Sequence, residues 1–224
     1  MSTVKSTLGR IAALVGMGAL VGVGCVAETP ADLTDVEGDE TSAALETLTM
    51  NVDNGIAHAA KLSASLVRVD IYDLQGNLKF SVDYRLGGEG EETILWTSFG
   101  APGTEPVSKS MKQPFEQLPE LEKAIAGADY MQTKVSNAMA NGEEYDSYGC
   151  DIPTYIVNSC GSKGKCCDVH DACYARNGCT ASSWYWTIPG SPCDVCNGNV
   201  VYCITFTNPG PSSCCAAGNC GQPR

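Results

Sequence analysis

The stretch 165–174, with the sequence KCCDVHDACY, holds the side chains best suited to chemistry in this chain. It contains His170, one of two histidines in the sequence, and the adjacent carboxylate of Asp171. Cys166 and Cys173 are seven residues apart, so a helix would place both sulfurs on the same side, about 10 Å apart. A histidine between two disulfide anchors is held in place, because its backbone cannot drift. We therefore expect His170 to be a pre-positioned proton acceptor.

A second pair of cysteines, Cys196 and Cys203, has the same spacing. Two helices that each carry cysteines seven residues apart can be joined by two bridges if they run antiparallel. Cys166 would then pair with Cys203, and Cys173 would pair with Cys196. Both pairs span the same distance, so this geometry closes without strain.

The antiparallel arrangement would bring the start of the second helix towards His170. Asn197 is then the candidate neighbour of the imidazole. Asp194 lies two residues before Cys196, about 200° round a helix, so it faces away if the helix has begun there. The residue beside His170 is therefore expected to be an amide rather than a carboxylate.

Cysteine usage indicates an exported protein with disulfides. Of the thirteen cysteines, all but Cys25 lie between Cys150 and Cys220. A dense, even-numbered set of cysteines in an exported chain is typical of disulfides, which persist outside the reducing cytosol. The alternative is zinc, because Cys193 and Cys196 have the spacing of metal ligands.

The N-terminal residues predict how the protein is exported. Lys5 and Arg10 precede an apolar run over 11–23, which is too short to span a bilayer comfortably and is typical of a secretory signal over 1–24. Cys25 stands where the signal of a bacterial lipoprotein places its lipid-modified cysteine; the alternative is an ordinary cleaved signal. We expect an anchored protein of the bacterial outer membrane, periplasm or cell surface, or otherwise a secreted one.

Charge is distributed unevenly along the chain, whose formal net charge is -12. Eight acidic residues and no lysine or arginine occur from 26 to 60. The segment 25–45 is therefore expected to be an acidic, disordered tether. The cysteine-rich region is nearly neutral, and it has no basic stripe to neutralise phosphates, which excludes nucleic acid as a partner.

The cysteine-free region 46–144 predicts a small β-sheet followed by helices. Apolar and polar residues alternate in several short stretches, which is typical of strands. The strands are expected at 47–52, 67–72, 78–85 and 93–99. The turn sequence 73–77 joins two of them as a hairpin. The Gly and Pro cluster at 100–103 predicts the end of the sheet.

Apolar spacing becomes helical over 113–139, and Pro119 and Gly127 are expected to divide this region. The whole cysteine-free region 46–144 contains no phosphate loop, HExxH metal motif or GxSxG serine elbow, which excludes the commonest lipase and esterase design. His58 has no identifiable partner and is expected to be structural or solvated. The fold class expected for the chain is α+β, with a small β-sheet region followed by a disulfide-rich α-helical domain over 145–224.

The cysteine-rich region resembles a known family. The motif consists of Cys166, Cys167, His170, Asp171, Cys173 and Tyr174. It resembles the active-site helix of secreted phospholipase A2, and the spacing of Cys196 and Cys203 resembles that of its partner helix. The resemblance is confined to about 148–204. It implies a phospholipase A2-like domain in which the helix pairing expected above is the family's cross-linking pattern.

The resemblance implies a role for each site residue. His170 would take a proton from water as the water attacks the sn-2 ester carbonyl of a phospholipid. Asp171 would hold Ca²⁺, a cation that prefers oxygen ligands and would polarise the ester. Tyr174 would help to orient the partner of the histidine. That partner is an aspartate in the family and Asn197 here, which cannot offset an imidazolium charge; Asp194 is an alternative carboxylate.

The remaining calcium ligands would be carbonyls of a loop before the helix. By resemblance, these carbonyls belong to Gly149, Asp151 and Pro153. The resemblance also pairs Cys150 with Cys167. An alternative loop at 159–164 contains more glycines, and either loop can also be a simple disulfide-linked turn. The sequence leaves open the pairing of Cys160, Cys179, Cys193, Cys214, Cys215 and Cys220.

Trp184, Tyr185 and Trp186 lie between the two predicted helices. They are expected to form the rim of a lipid channel or a membrane contact, because such rings favour the headgroup boundary; the alternative is ordinary packing.

Two main hypotheses for the function stand. The first is a calcium-dependent phospholipase A2-like hydrolase that acts on phospholipid membranes or micelles. The second is a catalytically weak or inactive lipid-binding or interaction module on the same scaffold. A third is a disulfide-rich surface domain with a coincidental His-Asp pair.

Overall fold

An antiparallel sheet of six strands forms the first part of the fold, and its strands pair in sequence order. Their bounds are β1 Thr47–Val52, β2 Gly55–Ser63, β3 Leu66–Asp73, β4 Leu78–Arg85, β5 Ile94–Ser98 and β6 Val107–Met111. Each strand is hydrogen-bonded to the next one along the chain, so the sheet is a meander. The prediction of an α+β fold is confirmed.

The structure is a computed structural model that describes residues 46–53, 55–100, 103–141, 149–150, 152 and 154–220. The predicted signal, its Cys25 and the acidic tether lie outside the described residues. Two of the predicted carbonyl donors, Asp151 and Pro153, also lie outside them. No helix in the described part of the chain is long and apolar enough to cross a membrane.

The predicted hairpin between β3 and β4 is confirmed. Asp73 closes its turn, because Oδ1 accepts hydrogen bonds from the main-chain N–H groups of Gln75 at 3.0 Å and Asn77 at 2.8 Å. An aspartate that bonds to the backbone two residues later is a common turn signal. The strands predicted at β1 and β5 are also present.

The sheet does not end at 100–103, where the Gly and Pro cluster predicted its end. The chain instead turns back, and β6 pairs with β5 from Val107 opposite Ser98 to Met111 opposite Ile94. Three of the five residues of β6 are polar, so its sequence lacks the alternation by which the other strands are predicted. Strand β2 was not predicted from the sequence either. Its inward-facing residues include the small alanines Ala57 and Ala59, which give only a weak apolar alternation.

The helices are α1 Leu121–Asn141, α2 Gly164–Asn177, α3 Pro192–Phe206 and α4 Ser213–Ala217, with a 3₁₀ helix at Ala181–Trp184. Helix α1 begins just after Pro119, as the predicted break requires, but it continues through Gly127. A Cβ at Gly127 would lie 2.5 Å from Thr205 Oγ1 and 2.6 Å from Tyr84 Oη. The prediction of a break at Gly127 is therefore wrong, since this glycine allows close packing.

One hydrophobic core joins the sheet to the helices. The inner face of the sheet supplies large side chains, including Phe80, Tyr84 and Trp96, and these belong to the same cluster as residues of α1 and α3 such as Met131 and Ile204. The described residues all belong to one compact unit. The region before the cysteines is therefore in direct contact with the disulfide-linked helices.

The opposite face of the sheet is polar. His58 lies there on β2, with its Nδ1 atom 2.9 Å from the Thr49 hydroxyl and its ring edge-on to Tyr72 at 5.4 Å. The side chain is exposed. Thr49 lies on the neighbouring strand, which explains why the sequence did not identify this partner.

Candidate active site

Helix α2 carries the candidate histidine, and close packing fixes the start of the helix. A Cβ at Gly164 would lie 1.8 Å from the carbonyl oxygen of Ser159, so a larger residue does not fit there. At the other end, the N–H of Gly178 bonds to the carbonyl of Tyr174. His170 lies near the middle of this helix, so contacts at both ends of the helix hold its backbone in place.

Six disulfides hold this part of the chain together. The three predicted pairs are formed: Cys166–Cys203, Cys173–Cys196 and Cys150–Cys167. The cysteines whose pairing was left open form Cys160–Cys215, Cys179–Cys193 and Cys214–Cys220. Cys193 and Cys196 are each bonded to a different cysteine, so the alternative of zinc thiolates at this pair is wrong.

The imidazole of His170 is 2% exposed and packs between aromatic rings. Its ring centroid lies 4.1 Å from that of Tyr174 and 5.5 Å from that of Trp184. Trp184 in turn meets Tyr130 of α1 edge-on at 5.8 Å. The wall around the histidine is therefore built partly by the helix that precedes the cysteines.

Asn197 of α3 lies beside the imidazole, where the antiparallel arrangement predicts it. Its Oδ1 atom is 3.3 Å from Nε2 of His170 and accepts a hydrogen bond from the Tyr174 hydroxyl at 2.5 Å. Its Nδ2 atom donates to the Ser183 carbonyl at 3.0 Å. A carbonyl can only accept, so the amide nitrogen must face Ser183 and the amide oxygen must face His170. Neutral His170 then carries its proton on Nε2 and leaves Nδ1 as the proton acceptor.

The surroundings of His170 favour its neutral form. Its pKa is lowered to about 3, mainly by burial and secondly by the positive charge of Lys134, while the hydrogen bond to Asn197 acts in the opposite direction. Burial is also the main cause that raises the pKa of the Tyr174 hydroxyl. At neutral pH, Tyr174 therefore remains a donor and the imidazole of His170 remains neutral.

Asp171 follows His170 on α2 and is buried. Its Oδ1 atom lies 4.0 Å from Nδ1 of His170. The carboxylate is thus on the side of the imidazole that accepts a proton. Gly149, the described member of the predicted carbonyl set, is also buried, and the next residue is bridged to α2 through Cys167. A buried carboxylate and main-chain carbonyls are the oxygen donors that calcium prefers, so the chemistry of these residues fits this ion.

The alternative loop at 159–164 is engaged by the C-terminal segment. The carbonyl of Ser159 accepts a hydrogen bond from the N–H of Ser212 at 2.8 Å, and that of Ser162 accepts one from Gly210 at 2.7 Å. The loop is also bridged through Cys160. These contacts make it a packed, disulfide-linked turn.

The predicted interface aromatics are divided between the interior and the surface. Trp184 is buried against His170, so it contributes to the site's interior and does not form a surface contact. Tyr185 is half-buried, whereas Trp186 is 73% exposed. Ile188, two residues later, is 76% exposed. The exposed apolar surface of this segment is therefore centred on Trp186 and Ile188.

Asp194, the alternative carboxylate, is buried in the first turn of α3. Its Oδ2 atom accepts a hydrogen bond from the N–H of Gly190 at 2.8 Å. Burial raises the pKa of this carboxyl. Asp194 is thus bonded to the loop before α3 and not to His170. The position at Nε2 of His170 is occupied by Asn197.

Three further residues of the site do not follow from the sequence motifs. Ser183 acts through its main-chain carbonyl, which every residue type has, so no sequence signal marks it. Tyr130 and Lys134 lie on α1, where helical spacing predicts only a core and a solvated face. Only the packing of α1 against the 3₁₀ helix brings them near the histidine.

Comparisons of the chain with known protein families, with curated proteins and with solved structures found no match.

Proposed function

We propose that this protein is a calcium-dependent hydrolase of the sn-2 ester of glycerophospholipids, with chemistry like that of secreted phospholipase A2. One observation supports this proposal above the others. His170 has Nε2 held by Asn197 and Nδ1 on the side of the Asp171 carboxylate. Activation of a water molecule requires a base whose tautomer is fixed. Here that base lies beside a carboxylate that could bind a cation.

In the proposed reaction, Nδ1 of His170 takes a proton from water as the water oxygen bonds to the ester carbonyl carbon. The imidazolium then returns this proton to the departing alkoxide, so the products are a fatty acid and a lysophospholipid. Asn197 and Tyr174 keep the ring in place during both transfers. Burial keeps the imidazole neutral before the reaction, since it lowers the histidine pKa.

Calcium would be held by Asp171 and the carbonyl of Gly149, together with the predicted donors Asp151 and Pro153. When bound, it would polarise the ester carbonyl and stabilise the negative charge of the intermediate. The carboxylate of Asp171 is adjacent to the base, so base and cation would act on the same ester group.

The proposed substrate is a phospholipid in a membrane or micelle. Trp186 and Ile188 supply the exposed apolar side chains that favour such a surface. The proposed location is outside the cytosol, with Cys25 as the lipid attachment or with the chain secreted. Disulfides in the described residues fit an oxidising compartment.

A second candidate function is a lipid-binding module with little or no turnover. Asn197 favours it, because a neutral amide does not offset the charge of the imidazolium that forms during catalysis. The deep burial of His170 acts in the same direction, since a charged imidazole is costly in a buried site.

Release of fatty acid from mixed phospholipid vesicles tests the two functions. The full chain should release fatty acid with calcium and lose at least a hundredfold of the rate with a chelator or with His170→Gln. His58→Gln is a matched control, because this histidine is exposed on the sheet and should leave the rate unchanged. Vesicle binding without release would favour the binding module, and release that survives His170→Gln would exclude the proposed mechanism.

A further inference from the structure

The orientation of the Asn197 amide is fixed by the Ser183 carbonyl, which can only accept a hydrogen bond. The Ser183 carbonyl accepts from Nδ2 at 3.0 Å, and the Tyr174 hydroxyl donates to Oδ1 at 2.5 Å. The side chain of Asn197 is 0% exposed, so water does not compete for these bonds. The Ser183 carbonyl therefore requires a donor at position 197, and the oxygen of the same amide accepts from Tyr174 and faces His170.

Ser183 belongs to the 3₁₀ helix Ala181–Trp184, which is itself held in place. The Ser183 hydroxyl accepts a hydrogen bond from the N–H of Thr180 at 3.1 Å. The disulfide Cys179–Cys193 closes the segment that contains this helix. The next residue, Trp184, packs against the imidazole of His170. One short helix thus contacts both the histidine and the amide beside it.

We infer that this 3₁₀ helix positions the imidazole, and that position 197 requires asparagine because its amide must donate to the Ser183 carbonyl. Ser183 and Trp184 are the positioning residues. An ionised aspartate at this position would direct a carboxylate oxygen at a carbonyl oxygen, where neither can donate. A protonated aspartate would keep the hydrogen bond but lose the charge for which an aspartate is useful. Asn197 is therefore matched to its surroundings and does not stand in for a missing carboxylate.

This inference deepens the proposed function, since it concerns the same histidine, but its tests do not measure turnover. The first test is the ¹⁵N spectrum of histidine-labelled full chain with intact disulfides. His170 should show a protonated Nε2 and an unprotonated Nδ1, and His58→Gln identifies the other histidine's signals. Protonation of Nδ1 in the neutral ring would overturn the inference.

The second test is the thermal unfolding midpoint of Asn197→Asp. The variant should unfold about 5 °C below the unchanged chain, because a buried hydrogen bond is replaced by two facing acceptors. Asn177→Asp is a matched control, since the exposed amide of Asn177 donates to the Cys173 carbonyl at 2.9 Å. The control should change the midpoint by only about 1 °C.

An Asn197→Asp midpoint at or above that of the unchanged chain would overturn the inference. If this variant does not fold, the ¹⁵N spectrum of the unchanged chain still shows which nitrogen of His170 carries the proton, and protonation of Nδ1 would overturn the inference. Turnover that is absent while both tests succeed would exclude the proposed hydrolase and leave the positioning role of Ser183 intact. Turnover together with an unchanged or raised Asn197→Asp midpoint would support the hydrolase and exclude the positioning role. A protonated Nδ1 would also exclude Nδ1 as the base of the proposed reaction.

Discussion

Asp129→Asn should stabilise the protein in a manner that depends on pH. Asp129 lies on α1, next to Tyr130 of the site wall, and its side chain is 8% exposed. Its carboxyl pKa is raised from 3.8 to about 6, mainly by burial and secondly by the negative charge of Asp53. The folded protein therefore binds this proton more tightly than the unfolded chain does.

The sign and size of the effect follow from this difference. Above pH 6 the buried carboxyl is charged in both states, so folding bears the cost of burying the charge. Well below pH 3.8 it is protonated in both states, so this cost is absent. A difference of about 2 pKa units corresponds to about 3 kcal/mol, and most of it develops between pH 4 and pH 8.

Urea unfolding with the disulfides intact measures this effect. The stability difference between Asp129→Asn and the unchanged chain should be about 2 to 3 kcal/mol more favourable at pH 8 than at pH 4. Taking this difference between two pH values cancels any change in packing by the amide. Asp53→Asn is the control, and it should give a smaller gain because burial is the larger cause. A gain that is the same at both pH values, or a loss that grows with pH, would refute the argument.

Two further predictions concern packing and surface contact. Gly127→Ala should lower the free energy of unfolding by about 1 to 3 kcal/mol despite the helix preference of alanine, because its Cβ would meet Thr205 and Tyr84; equal stability in urea would contradict this. Trp186→Ala should weaken vesicle binding in a flotation assay without changing the unfolding midpoint, whereas Trp184→Ala should lower the midpoint. The same midpoint loss in both variants would contradict the division between an exposed and a buried tryptophan.

The packing of α1 against the disulfide-linked helices gives the sheet a role in the site. Tyr130 supports Trp184, which supports His170, and Lys134 helps to keep the imidazole neutral. A core that continues from the sheet into α3 fixes α1 in this place. The helix that packs on the sheet thus forms part of the wall around the candidate base.

The sequence by itself determined the local features of the fold. Alternating residues located β3 and β4, and the turn at Asp73 follows from side-chain bonds to the nearby backbone. Equal cysteine spacing was enough to predict two bridges between α2 and α3, since helix geometry fixes where the sulfurs point. These features depend on residues that are close in sequence or on a covalent bond.

Only the tertiary structure decided the features that depend on contacts between distant segments. Strands β2 and β6 lack a strong pattern of their own and are held by their neighbours. The sequence predicted a helix break at Gly127, whereas the absence of a side chain there allows Thr205 to pack closely against α1. The orientation of the Asn197 amide depends on the carbonyl of Ser183, a main-chain group that no sequence motif can mark. Long-range packing, which the sequence does not display, thus determines which nitrogen of His170 carries the proton in the neutral ring.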